Sequence, residues 1–261
     1  MSLEGAFVSV SALLRQLLWL VPGMSDRRPL RTGLLLLGWV LTALVGTNFV
    51  LVPALLLLFM GETAYNLFRR LARGGSNAWH SCAAALLELL AGVRIDLRGQ
   101  GPLASDRRLL VICNHHCRLD WIFLWPVFAR MRRLGSLQVA LKADLKSVPV
   151  FGWAVQAFLY LFIDRNDRAG SLASMGRTID HVVCQRGEEI TLLIFPEGTD
   201  LSPSQLRKSN EHAVSKGLPQ TAHVLCPRPA GFATAVRSMG GQLDAVLDLT
   251  ISCREIAVDM S

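Results

Sequence analysis

The sequence predicts an α/β layer fold carried behind an N-terminal membrane-anchoring helical region, on three observations. From Gly33 to Met60 no residue is charged. After about Ile95, short apolar runs alternate with helical stretches. Two of those runs end in islands of polar, chemistry-bearing residues. At 261 residues the chain is long enough to bury a sizeable core. Charged residues make up only 18% and hydrophobic ones 51%. An ordinary soluble domain carries about 25% charged residues, so part of this surface is expected to meet lipid.

Taken in order, Leu13, Leu14, Leu17, Leu18 and Val21 recur at helical spacing and predict a short interfacial helix. The uncharged run follows. As one helix it would be roughly 42 Å long, more than the ~30 Å hydrocarbon core of a bilayer. That length argues against a buried core helix and against the short apolar segment of a signal peptide. Asn48 and Pro53 leave two arrangements open, one tilted span or a re-entrant pair of short helices. Arg27, Arg28 and Arg31 before the run balance Arg69, Arg70 and Arg73 after it, so charge gives no orientation. The Gly74-Gly75-Ser76-Asn77 cluster is expected to end the membrane part, with a new helix over Trp79–Val93. Residues 1–76 thus read as the anchoring region, 77–252 as the α/β domain and 253–261 as a tail.

Leu109–Cys113, Leu137–Leu141, Leu159–Ile163, Ile190–Phe195 and Ala245–Ile251 are predicted strands. Trp121–Met131, Val150–Phe158 and Leu172–Cys184 are predicted helices between them. Alternation of this kind specifies a buried sheet in an α/β layer. Ser147 to Ile163 is also uncharged and reads best as a core helix running into a core strand.

The net charge of +7 suits an anionic partner such as a phospholipid surface or a phosphorylated substrate. Nucleic acid is excluded as a partner, because neither a zinc-finger spacing nor an aromatic RNA-binding signature is present. Cys82, Cys113, Cys117, Cys184, Cys226 and Cys253 lack paired spacing, which fits reduced thiols facing a cytosol.

The first polar island is Asn114-His115-His116-Cys117-Arg118-Leu119-Asp120, directly after a predicted strand. A metal site is a poor fit, since neighbouring residues rarely converge on one tetrahedral ion and no second ligand pair stands at zinc spacing. A plain polar turn, with Asn114 capping the helix that begins near Asp120, is what the stretch favours taken alone. The third reading is an acid–base pair. The carboxyl end of a strand is where α/β folds place reactive side chains. There a neutral imidazole can take a proton from an attacking hydroxyl while a carboxylate fixes its tautomer. His115 and Asp120 could do this only if His115 lies in a turn, because on one helix they would point about 140° apart. No Gly-x-Ser-x-Gly elbow supplies a nucleophile, so the hydroxyl would be the substrate's own. The second island, Phe195-Pro196-Glu197-Gly198-Thr199, puts a carboxylate on a glycine turn at another strand end.

Together, Asn114-His115 with Asp120 and then Phe195-Pro196-Glu197-Gly198-Thr199 resemble the glycerolipid acyltransferase family, the lysophosphatidic acid acyltransferases and their relatives. The resemblance covers about Leu86 to Ser252. It includes Lys142-Ala143-x-Leu145-Lys146-x-x-Pro149-x-x-Gly152-Trp153, Phe162-Ile163-x-Arg165 and the Pro227 loop. Arg118-x-Asp120-Trp121, Phe123-Leu124-Trp125, Ser209-Asn210, Pro227-Arg228 and Gly231-Phe232 make it most similar to the lysocardiolipin acyltransferase branch.

The resemblance implies a glycerolipid acyltransferase-like layer fold with acyltransferase activity in residues 77–252. His115 would be the general base and Asp120 its orienting partner. The acceptor would be the hydroxyl of a lysophospholipid, 1-acylglycerol-3-phosphate or lysocardiolipin-like, and the donor acyl-CoA, with no metal or bound cofactor. Arg165 and the Glu197-Gly198-Thr199 turn would hold the glycerophosphate, Pro227 would shape the pocket wall, and Lys142 is a further candidate for the phosphate. Residence in the endoplasmic reticulum membrane, among its phospholipids and with the site facing the cytosol, is implied in the same way. Two alternatives share these residues: a CoA-independent phospholipid transacylase, and an inactive, shortened relative that binds lipid. His116 stands where the branch more often has arginine, but the His-to-Asp spacing selects His115. Relatives of the branch continue beyond this point, so a chain ending at Ser261 is expected to be a truncated or alternatively ended form. Headgroup, acyl-chain preference and oligomeric state have no signature in the sequence.

Overall fold

The computed structural model describes residues 28–89, 93–101, 105–164 and 166–252. The expected interfacial helix at residues 13–21, Arg165 and the tail after Ser252 lie outside the described residues. In chain order the elements are α1 (Arg28–Gly46), α2 (Glu62–Leu89), β1 (Arg108–Cys113), α3 (Asp120–Phe123), α4 (Trp125–Arg130), β2 (Leu137–Lys142), α5 (Phe151–Ala157) and β3 (Leu161–Ile163). They continue with α6 (Arg168–Asp180), β4 (Ile190–Ile194), α7 (Pro203–Ser215), α8 (Pro229–Met239) and β5 (Ala245–Leu249). The chain divides into two compact units, Met1–Gln100 with Ile122–Arg165, and Gly101–Trp121 with Asn166–Ser261.

The second unit is built on a parallel sheet with β1 between β4 and β5. Arg108 pairs with Ile190 through to Ile112 with Ile194, and Leu109 with Ala245 through to Cys113 with Leu249. Leu109, Leu110, Val111 and all five residues of β4 are buried. A parallel strand covered on both faces needs this continuous apolar run, which is why β1 and β4 were legible. β5 alternates half-buried and exposed residues, as an edge strand does.

Helix α6 begins at Arg168, earlier than expected, because the Asp167 side chain accepts the Gly170 N–H and caps it. Helices α6 and α8 pack together with Gly176 at their contact, where an added Cβ would lie 3.1 Å from Ser238 Oγ. The sequence reading did not anticipate α7 or α8. Their start signals were nonetheless present: Ser202 caps Gln205 N–H ahead of Pro203, and Pro229 opens α8.

In the first unit the uncharged run is one helical stretch. α1 passes into a π-helical turn at Thr47–Leu51, an α-turn at Val52–Ala54 and a 3-10 turn at Leu55–Phe59. Pro53 explains the change of pitch, since it has no N–H and its ring crowds the carbonyl four residues back. Thr47, Leu51 and Ala54 form the buried stripe, and the π-turn packs on α5. Phe49, Leu56 and Phe59 point outward at 77%, 68% and 88% exposure. Leu37–Phe59 is long and apolar enough to cross a membrane.

Two expectations are corrected here. Helix α2 runs straight through Gly74-Gly75-Ser76-Asn77, which was expected to end an element. Glycine costs a helix about 1 kcal/mol, but the helix is supported here by its packing on the turn at Leu134–Ser136. A Cβ on Gly135 would already lie 3.3 Å from Arg73 O, and Ser76 Oγ donates to Leu134 O at 3.2 Å. The helix expected over Trp121–Met131 is interrupted at Leu124, because Pro126 cannot donate into a continuous helix.

The centre of this unit is His80, fully buried in α2 among Trp79, Trp125, Phe158 and Tyr160. Its Nδ1–H donates to Ser76 O at 2.6 Å, and its Nε2 accepts the Tyr160 hydroxyl at 2.8 Å. Burial lowers its pKa from the ordinary 6.5 to about 4. The unfolded chain therefore takes up the proton first as pH falls, so this contribution to stability is complete above pH 6.5 and is lost on the way down to pH 4. We expect the protein to lose about 3 kcal/mol across that window, and His80→Gln to remove most of that dependence. Tyr160→Phe, which leaves Nε2 without a donor, should cost about 1–3 kcal/mol at neutral pH. Denaturant unfolding in detergent at pH 7 and pH 5 checks both.

Candidate active site

The carboxyl ends of β1 and β4 are neighbours in the sheet, so the chain leaving each strand emerges beside the other. The pairing of Ile112 with Ile194, carried three residues further, sets His115 opposite Glu197. The contact is there: the His115 backbone N–H donates to Glu197 Oε1 at 2.9 Å.

His115 lies in the turn between β1 and α3, and Asp120 is the first residue of α3. The side chains therefore meet, with His115 Nδ1 2.9 Å from Asp120 Oδ2. Asp120 is completely buried. A buried carboxylate needs donors on every side to stay ionised, and three converge on it. His115 Nδ1–H and Cys117 N–H both reach Oδ2, the latter at 2.9 Å, and Cys117 Sγ reaches Oδ1 at 3.2 Å. An ionised carboxylate only accepts, so the imidazole proton sits on Nδ1 and Nε2 keeps its lone pair. Phe195 stacks on the ring at 4.2 Å between centroids and 21° between planes, which limits its rotation.

The second island is a tight turn. Gly198 N–H donates to Phe195 O at 3.0 Å, and Gly198 has φ +73°, a conformation that side-chain-bearing residues rarely adopt. Glu197 is buried, with Oε2 accepting the Leu225 N–H at 2.9 Å. Gly198 is exposed, and the stem of Arg228 lies over it, 3.5 Å from where a Cβ would be. Thr199 is half-buried and donates to Asp200 Oδ1 at 3.2 Å, while Arg118 pairs with Asp200 at 3.5 Å. Pro227 is exposed on the loop before α8. His115, Asp120, Glu197, Gly198, Thr199 and Pro227 all belong to the second unit. Lys142 belongs to the first, exposed at the end of β2 and paired with Asp144. Arg165 is outside the described residues.

Asn114 does not cap α3, as the polar-turn reading expected. Its amide pairs with Ile251 in both directions, at 3.0 and 2.7 Å, tying the end of β1 to the chain leaving β5. Cys113 is buried, and burial, followed by the charge of Asp120, pushes its thiol up to about 12, which makes it a poor nucleophile. Among the described residues no group of three or more histidine, cysteine or carboxylate side chains could hold a metal ion. Sequence reasoning gave no role to Phe195, Cys117 or Leu225. Only the strand neighbourhood could have pointed to Leu225, whereas Cys117 stood in plain view between the two paired residues.

A family model described as acyltransferase matches residues 94–246. Lysocardiolipin acyltransferase 1 of Danio rerio is 37% identical over 222 residues, 83% of this chain and 55% of that protein. The protein of the same name from Mus musculus is 38% identical over 211 residues, 79% of this chain and 54% of its own. Lysophosphatidylinositol acyltransferase 10 of Caenorhabditis elegans is 31% identical over 227 residues, 83% of this chain and 56% of its own. The chain thus spans about half the length of these curated relatives, and no solved structure matches it. A family model over more than half of the chain, with its paired histidine and aspartate inside the matched stretch, places this protein in the acyltransferase family.

Proposed function

We propose that this protein transfers an acyl group to the free hydroxyl of a lysophospholipid, with acyl-CoA as the donor. The observation that carries the reading is the 2.9 Å contact between His115 Nδ1 and buried Asp120, which leaves Nε2 free to act as a base. In the reaction Nε2 takes the acceptor's hydroxyl proton as the oxygen attacks the thioester carbonyl. The C–O bond forms, the C–S bond breaks, and the imidazolium returns its proton to the leaving thiolate. Asp120 stabilises the imidazolium between these steps. The names of the relatives support a lysophospholipid as acceptor.

By resemblance, Arg165 is proposed to grip the acceptor's phosphate, with Gly198 and Thr199 at the glycerophosphate site, Pro227 shaping the pocket wall and Lys142 as a further candidate for the phosphate. The apolar helix Leu37–Phe59 is proposed to hold the protein in a membrane, with the endoplasmic reticulum and its cytosolic face as the expected address.

The test is turnover by purified protein of a lysophospholipid panel with labelled acyl-CoA or, separately, labelled phospholipid. Transfer only from phospholipid would replace the donor, and transfer from neither would overturn the reading. His115→Ala and Asp120→Asn should each lower the rate about 10²–10⁴-fold, whereas His116→Ala should be mild because Asp120 engages His115. Normal turnover in His115→Ala would remove the base from the mechanism.

Arg165→Ala should lower kcat/KM for a lysophospholipid roughly ten- to a hundredfold. Arg165→Lys should recover only part of this, since an ammonium lacks the planar fork. A neutral monoacylglycerol acceptor measured alongside should be indifferent; equal loss with both acceptors would remove Arg165 from phosphate recognition.

Membrane attachment is best tested on the outer face of the apolar helix, since a cut at residue 76 would divide α2. Phe49→Arg should cost about 2.5–3.5 kcal/mol near a bilayer centre, with Leu56→Arg adding less because it lies near the end of the apolar stretch. The variant should then become extractable by carbonate where the parent is retained.

A further inference from the structure

Resting on the reading of His115 as the base, we infer that Glu197 is a positioning residue, whose carboxylate holds the His115 backbone in place without binding the acceptor. The residue is 6% exposed, and each carboxylate oxygen is committed to a different backbone segment. Oε1 accepts the His115 N–H and Oε2 the Leu225 N–H, both at 2.9 Å. On the other side of the same residue, His115 O accepts the Leu201 N–H at 2.9 Å. Both polar groups of His115's main chain are therefore tied to residues just beyond β4. The turn carrying Glu197 is itself fastened, since Arg228 N–H donates to Pro196 O at 2.7 Å.

The arrangement has a chemical consequence. Asp120 and Phe195 fix the imidazole relative to the ring's surroundings, but the ring's position along the chain depends on its peptide. If that peptide rotates, Nδ1 swings off Asp120 and Nε2 off its line of attack. A displacement of about 1 Å costs roughly a hundredfold in rate when the reacting atoms must be aligned. A carboxylate suits this place because it accepts on both oxygens. An amide of the same shape has one acceptor and one donor, so in either orientation its NH₂ group faces a backbone N–H.

The experiment uses the full chain in detergent and compares Glu197→Gln with the parent. Turnover at saturating donor and acceptor should fall ten- to a hundredfold. Equilibrium binding of a lysophospholipid, measured directly, should stay within about twofold. Hydrogen–deuterium exchange should quicken over residues 114–121 and 222–227 while α6 and α8 keep their protection. An affinity loss of tenfold or more with unchanged kcat would make Glu197 an acceptor ligand and overturn the proposal. Unchanged exchange at both segments would do the same. If Glu197→Gln loses protection throughout, Glu197→Asp, one methylene too short to reach both amides, is read by the same criteria. Should the parent itself transfer no acyl group to any lysophospholipid, the functional reading fails, and exchange still reports on the clamp.

Discussion

A carboxylate with no exposed surface governs the geometry of this site. Asp120 can stay ionised only if donors surround it, and an isolated buried charge would cost several kcal/mol. The residues from His115 to Asp120 adopt a short path that brings an imidazole N–H, a backbone N–H and a thiol onto two oxygens. The tautomer of His115, the direction of Nε2 and the start of α3 all follow from satisfying that charge. The His115–Asp120 contact thus rests on a local folding requirement that would exist even without a substrate.

The parallel sheet supplies the second half of the constraint. Two strands that run side by side in the same direction end side by side, so residues far apart in sequence leave the sheet together. His115 and Glu197 are 82 positions apart and hydrogen-bonded, and the paired residues of β1 and β4 keep the same offset. Asn114 does for the other neighbour what Glu197 does for this one, pairing with Ile251 beyond β5. The loop that carries His115 is thereby pinned on both flanks, and the polar groups doing the pinning are side chains of the motif itself. Motif residues can be required for this reason alone.

The first unit follows a different logic. Its centre is an aromatic cluster around a neutral histidine whose two nitrogens are both satisfied, and its apolar helix keeps one narrow stripe for the protein while turning the wider face outward. Leucines and phenylalanines left outward on that scale are unfavourable in water and favourable in hydrocarbon, at about 25 cal/mol per Å². Pro53 alters the pitch without ending the helix, because a π-turn absorbs the missing donor.

The sequence alone determined the strands to within about two residues, and β1 and β4 most plainly, because parallel strands buried on both faces must be continuously apolar. The His115–Asp120 pair was legible only together with the Phe195–Thr199 island, because the first stretch taken alone reads as a plain polar turn. Sequence reasoning misread Gly74-Gly75, since the penalty of glycine in a helix is local while the close approach of Gly135 is not. It passed over α7 and α8, although Ser202 caps the first and Pro229 opens the second. The committed state of Glu197 was beyond reach for the same reason. Which amide a carboxylate accepts depends on which strands lie side by side, and strand order is set by packing of the whole sheet, a property that no window of residues contains.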